Sequence, residues 1–203
     1  MPDGKFKAWD FWTAFWVYTA AGVVFSFPFS VIGLIPVKLN PNFDLKNLLI
    51  LAVIAFIGIF IQAGAEELFF RGYITQFVRR FFSNKVLFLG IPALYFGLIH
   101  LGNISDSVSG GVWVTLPYII NGLLFGWVAY RSGSLWMALG LHLANNYSNV
   151  VMIGTIGDVL PSAAPFVVEI PNNLTLITAV VGVQALAVAL AMNYLIKKRE
   201  AGR

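Results

Sequence analysis

Six residues, Glu66-Glu67-Leu68-Phe69-Phe70-Arg71, carry three charges in a stretch of chain that otherwise excludes them. Residues 48–65, just before them, hold one strongly polar side chain, Gln62, and the next charges beyond them are Arg79 and Arg80. An apolar run of about 20 residues reads as a membrane-spanning helix. A charged side chain at the centre of a bilayer costs about 2.5–3.5 kcal/mol, so three left unpaired would cost about 8–10 kcal/mol. Such a run folds only if the charges turn inward and find partners. At about 100° per residue, Glu67 and Arg71 lie about 40° apart on one helix face and can pair, whereas Glu66 lies about 140° from Arg71. Arg71 therefore neutralises Glu67 and leaves Glu66 facing something else. An intramembrane ionisable residue of this kind is a candidate functional group.

The rest of the chain fits a membrane setting. Its residues are 59% hydrophobic and 11% charged, against about 45–50% and about 25% in soluble domains. The expected fold is all-α, a polytopic transmembrane helix bundle of about six to eight helices. It forms one domain over residues 1–203, with a motif-bearing core at 48–153. Apolar runs at 11–37, 48–82, 86–101, 112–130, 135–153 and 174–196 supply six spans. Residues 38–46, 102–111 and 154–173 read as loops. Residues 11–37 are too long for a removed signal peptide, and Pro28 and Pro36 are expected to kink and end that span. As one helix, residues 48–82 would be about 50 Å long, so the run must tilt, bend near Gly58 or Gly64, or leave the membrane. Gly122 and Gly126 have the spacing that lets membrane helices approach closely.

Charge and cysteine content exclude several functions. The net charge of +4 comes from basic residues split between short segments beside the spans, so no nucleic-acid partner is expected. With no cysteine, the chain has no disulfide, thiol nucleophile, Cys-ligated zinc or iron–sulfur cluster. With both termini inside, the inner side collects Lys5, Lys7, Arg79, Arg80, Lys85, Arg131, Lys197, Lys198, Arg199 and Arg203, and the outer side only Lys38 and Lys46. The positive-inside rule thus places both termini in the cytoplasm. The expected location is a bacterial or archaeal plasma membrane.

Depth along the helices brings three ionisable groups to a common level. Glu66 lies 13 residues from Arg79, His100 15 residues from Lys85, and His142 11 residues from Arg131, which is about 20, 22 and 16 Å of helix. These are the chain's two histidines, and both fall within apolar runs. His142, Asn146 and Asn149 form a polar ridge on one helix face, which points inward in a membrane protein. Interhelical hydrogen bonding alone would account for the asparagines. Among intramembrane proteolytic chemistries, the His-Glu-x-x-His zinc string is absent. The candidate aspartates Asp106 and Asp158 and the candidate nucleophile Ser109 sit in expected loops. What remains is a carboxylate, two imidazoles and an amide, a set able to hydrolyse a peptide bond. Glu66 would take a proton from water with help from one histidine, while the other histidine and an asparagine donate to the oxyanion. Two other readings use the same groups: a zinc protease with Glu66, His100 and His142 as ligands, and a non-enzymatic immunity, scaffold or transport protein.

Three strings in order, Glu66-Glu67-x-x-x-Arg71, Phe96-x-x-x-His100 and His142-x-x-x-Asn146, resemble the motifs of the CAAX-protease and bacteriocin-processing (CPBP, or Abi) family of glutamic intramembrane endopeptidases. They span residues 66–146. The resemblance implies an eight-helix fold and a hydrolase that needs no cofactor. It implies Glu66 as general base with His100 as its partner on the water, and His142 and Asn146 as the oxyanion hole. Glu67 and Arg71 would support the site, with Phe96 and Asn149 beside them. The implied partners are the lipid bilayer and a membrane protein or peptide substrate; eukaryotic members trim prenylated Cys-a-a-X proteins.

Overall fold

The computed structural model describes residues 6–31, 37–101, 112–155, 162–168 and 174–202. They form six helices: α1 (Ala8–Val31), α2 (Leu45–Arg79), α3 (Lys85–Ile99), α4 (Val112–Ser132), α5 (Leu135–Val151) and α6 (Leu174–Ala201). Pro36, Asp106, Ser109 and Asp158 lie outside the described residues. Pro28 does not end α1, which continues to Val31.

The helix starts follow local chemistry. Asp44 accepts from the Asn47 amide at 2.7 Å to start α2, and Asn84 accepts from the Val86 amide at 2.8 Å to start α3. Gly133, with φ of +63°, makes the left-handed turn between α4 and α5.

The bundle is organised around α5. It packs against α1, α2 and α4, and every residue from Met137 to Ala144 is buried. A stretch apolar all round belongs to the core, and His142 is the one polar residue this stretch admits. By contrast, α2 turns an apolar stripe outward, with Leu49, Val53, Ile57 and Ile61 all more than half exposed. Residues Leu45–Arg79 and Thr175–Ala201 are long and apolar enough to cross a membrane. At one end of the bundle Arg199 donates to Asp10 at 2.6 Å and to the Ser132 carbonyl at 2.9 Å, tying α6 to α1 and α4. Arg79 and Lys85 stack over Tyr130 near the same end of α4.

The irregularity in α2 is not at Gly58 or Gly64, where a Cβ would meet nothing within 4 Å. It is a π-helical stretch, Leu68–Ile74, immediately after the glutamates. The Thr75 amide bonds to the Phe70 carbonyl, and Thr75 Oγ1 reaches the same oxygen at 2.8 Å. π-helical turns are rare and occur mostly at functional sites. Close helix approach is found at Gly122, where an added Cβ would lie 3.2 Å from Ala93 Cα, while at Gly126 the nearest atom, Leu89 Cδ2, is an ordinary 3.7 Å away.

The expectation of plain loops between the helices needs one correction. Residues expected as loops, together with the last residues of the spans 11–37 and 135–153, form β1 (Val37–Leu39), β2 (Ile153–Thr155) and β3 (Phe166–Val168), paired β1–β3 antiparallel and β2–β3 parallel. Asn40 fastens β1, its side chain donating to the Ala164 carbonyl at 3.0 Å. Strands of three residues are too short to show alternation.

Gly140 of α5 faces the Phe11 carbonyl so closely that a Cβ would overlap it. We expect Gly140→Ala to lower stability by about 1–3 kcal/mol or more, since overpacking against backbone has no side chain to yield. Gly58→Ala, facing open space, should be neutral or stabilising by about 0.5–1 kcal/mol. Thermal melting of both variants in detergent checks the pair, and equal melting temperatures would contradict it.

Candidate active site

Glu66 and Glu67 are neighbours on α2 with different surroundings. Glu67 is 1% exposed. Its Oε1 accepts from Arg71 at 2.8 Å and from His142 Nδ1 at 2.8 Å. Arg71 donates its other terminal nitrogen to the Gly122 carbonyl at 2.9 Å. Its guanidinium lies 5.0 to 5.8 Å from the ring centres of Phe96, Phe125 and Phe70. The pairing expected from helix spacing is present, with the added finding that His142 shares the same carboxylate oxygen.

Glu66 faces the two histidines. Its Oε2 is 3.7 Å from His142 Nε2 and 4.0 Å from His100 Nε2. That oxygen is buried and has no hydrogen-bond partner among the described residues. Its Oε1 accepts from Gln62 one turn earlier. The three groups placed at a common depth by residue counting therefore do meet, from α2, α3 and α5.

Hydrogen bonding assigns the ring nitrogens. His100 Nδ1 lies 2.6 Å from the Phe96 carbonyl, which only accepts, so it carries the proton. His142 Nδ1 faces an oxygen already accepting from Arg71, so it also donates. In the neutral rings both Nε2 atoms are then acceptors aimed at Glu66 Oε2. Three acceptors at 3.7–4.0 Å are too far apart for direct bonds and suit a bridging water, which donates to two of them. Among the described residues no group of three His, Asp or Glu side chains is arranged to hold a metal.

Aromatic rings fix both imidazoles. Phe96 contacts His100 at 4.3 Å and His142 at 5.7 Å, Phe125 stacks on His142 at 5.1 Å, and Tyr118 stacks on His100 at 4.7 Å. Phe96 thus lies under both histidines and Arg71. Asn146 reaches Glu66 through an intermediary, donating to Gln62 Oε1 at 3.2 Å. Asn149, one turn further on and half-buried, forms no hydrogen bond with these groups.

Four residues without an assigned role in the sequence reading join the site. Tyr18 donates its one hydroxyl hydrogen to Asn145 at 2.7 Å and lies 3.1 Å from Asn121 Oδ1, Asn145 donates to Asn146 at 2.9 Å, and Gln62 links Asn146 to Glu66. Gln62 carried a usable signal, being the one strongly polar side chain in 48–65 and four residues from Glu66. Tyr18 and Asn121 carried none, since they meet the site only through the packing of α1 and α4.

Comparison with known proteins gives a family match that includes Gln62, Glu66, Glu67, Arg71, His100, His142 and Asn146 but not Tyr18 or Asn149. The family model described as "Type II CAAX prenyl endopeptidase Rce1-like" matches residues 47–148. The uncharacterized protein YyaK of Bacillus subtilis (strain 168) is 34% identical over 105 residues, covering 52% of this chain and 35% of that protein. The chain thus aligns with about a third of that relative's length. No solved structure matches.

Removing Arg71 leaves Glu67 and the Gly122 carbonyl buried without their shared donor. Arg71→Met should cost about 3–5 kcal/mol, the range for breaking a buried ion pair from one side. The double variant Arg71→Met/Glu67→Gln, which removes both charges, should recover part of the loss. Melting temperatures in detergent read both, and an Arg71→Met protein as stable as the wild type would refute the pairing.

Proposed function

The chain belongs to the type II CAAX prenyl endopeptidase Rce1-like family, and from that premise we propose that it is an intramembrane endopeptidase whose base is Glu66. The observation that carries the reading is the partnerless Glu66 Oε2 facing two imidazole Nε2 atoms. A water held between Glu66 Oε2 and His100 Nε2 donates one hydrogen to each and turns a lone pair outward. Glu66 takes a proton as the water oxygen attacks the scissile carbonyl carbon. The carbonyl oxygen becomes the oxyanion, received by the Asn146 amide and by His142 carrying a proton on Nε2. In that step the ring is the imidazolium rather than the neutral form, and with Glu66 protonated the charges of Glu67, Arg71, His142 and the oxyanion sum to zero. As the intermediate collapses, the C–N bond breaks and Glu66 returns its proton to the leaving amine. Gln62 positions the base by holding its Oε1, which keeps Oε2 toward the histidines.

The setting is a bilayer. In our reading the six helices are spans of a polytopic bundle with the basic end cytoplasmic, and hydrolysis occurs at the depth of Glu66 on a membrane protein or peptide. The Asp10–Arg199 contact supports the N-terminal end of α1 and the C-terminal end of α6 lying on one side. The chain has no cysteine, so a single Cys at Gly4 and another at Lys46 in separate variants can be probed with an impermeant thiol reagent on intact cells. Labelling at residue 46 but not at residue 4 is expected, and the reverse would overturn the orientation.

A farnesylated peptide ending in Cys-a-a-X, whose chemistry the family description names, is the first substrate to assay in proteoliposomes. Glu66→Gln keeps the side-chain shape and can still accept from Gln62. It should lower cleavage by about 10²–10⁴-fold, the usual contribution of a general base, with unchanged melting. Activity should survive EDTA. Loss with EDTA and restoration with zinc would move the reading to the metalloprotease, and undiminished cleavage by Glu66→Gln would remove Glu66 as the base.

A further inference from the structure

A second polar site lies on the other side of Arg71 from Glu66. A cavity of about 390 Å³ opens between the last turns of α2, the end of α4 and the start of α5. Its lining includes Arg71, Thr75, Arg79, Tyr130, Gly133 and Ser134, and among the described residues no carboxylate lines it. Arg71 and Thr75 are engaged elsewhere, with Glu67, the Gly122 carbonyl and the Phe70 carbonyl.

Besides the neutral amide of Gln76, Ser134 and Arg79 are the polar groups on this wall with a hydroxyl and a charge to offer a ligand. Ser134 is 4% exposed, and its Oγ has no hydrogen-bond partner among the described residues. It is also the N-cap of α5, a helix of 17 residues, yet makes no side-chain cap bond. The positive end of that helix dipole and an unused buried hydroxyl thus meet at the cavity wall. Arg79 stands across from them over Phe88 at 5.1 Å and Tyr130 at 5.9 Å, with no carboxylate partner among the described residues. A guanidinium, a hydroxyl donor and a helix N-terminus together select a polyoxygen anion, and phosphate best matches that donor set.

The surface beside the cavity indicates where the phosphate comes from. One step around α2, Phe69, Tyr73, Phe77 and Phe81 form a ladder of ring contacts at 5.2–6.4 Å, each ring exposed by more than 40%. Exposed aromatic residues beside basic ones are the mark of a membrane interface. We propose that this cavity holds the phosphate of an anionic membrane lipid, with Arg79 and Ser134 Oγ as its contacts and the acyl chains along the aromatic ladder. The inference requires membrane insertion but not hydrolysis.

The full chain in phosphatidylcholine nanodiscs, with and without phosphatidylglycerol, tests this by native mass spectrometry of retained lipid and by melting temperature. Phosphatidylglycerol should be retained over phosphatidylcholine and should raise the melting temperature. Arg79→Gln should lower its retention about fivefold, the worth of one basic residue at an anionic membrane surface. Ser134→Ala should lower it as well, while Arg80→Gln, exposed and outside the cavity, should not. If Ser134→Ala misfolds, the contrast between the two arginines still decides. Equal retention of both lipids, or an equal fall in both arginine variants, would overturn the cavity assignment. Inorganic phosphate stabilising the protein in pure phosphatidylcholine as well as the lipid does would assign the site to a free anion. Displacement of the lipid by a peptide with a free C-terminal carboxylate would assign it to substrate. Either result would overturn the lipid reading.

Discussion

One oxygen, Glu67 Oε1, holds the site together. It accepts from Arg71 of its own helix and from His142 of α5, while Arg71 reaches on to the α4 backbone at Gly122. Three helices are thereby fixed in register by three hydrogen bonds that meet inside the bundle. A buried ion pair is weak evidence of net stability, because desolvation offsets much of the attraction. Its value here is geometric. If α2 slid or turned against α5, the Glu67 carboxylate would lose His142, and Glu66 would leave the two Nε2 atoms it faces. Three phenyl rings around the guanidinium supply cation–π contacts and shut out water.

The adjacent glutamates thus divide the labour by environment. Glu67 holds Arg71 and His142 on one oxygen and serves as a fixed counter-charge. Glu66 has one oxygen held by Gln62 and the other directed at imidazoles, beyond direct hydrogen-bond reach. A chain of amides backs it, running from Tyr18 through Asn145, Asn146 and Gln62, with each link donating toward the carboxylate. Such a directed chain limits the ways the Glu66 carboxylate can turn, which is the preorganisation that general-base chemistry uses.

Much of this was legible in the sequence because its signals are local. The i, i+4 spacing of Glu67 and Arg71 set their pairing, and the distances of Glu66, His100 and His142 from basic flanks set a shared depth. The six apolar runs correspond to the six helices within a few residues at most ends. What could not be read is what depends on packing between distant segments. The small sheet joins residues far apart in sequence, and the π-helical stretch lies away from Gly58 and Gly64, where a bend was one of three options. That stretch lies where Arg71 must leave the helix surface and enter the core, so the driving interaction is tertiary rather than a local propensity. The polar ridge was read at i, i+4 and i+7, yet the structure recruits Asn145 and leaves Asn149 outside. Tyr18 of α1 decides that choice, and no spacing within α5 encodes it.

Gly122 shows how few positions carry both packing and chemistry. Its missing side chain lets α3 approach α4 at Ala93, which seats Phe96 beneath Arg71 and brings His100 within reach of Glu66. Its carbonyl simultaneously accepts the guanidinium that anchors Glu67. A larger side chain there would push α3 outward, and the same displacement would separate His100 from the carboxylate. Helix approach and site geometry are therefore one constraint. A membrane bundle gains little from hydrophobic burial against lipid, so close contacts at small residues and a few buried polar bonds must determine its register. Here the bonds that determine the register are the ones that orient the candidate catalytic groups.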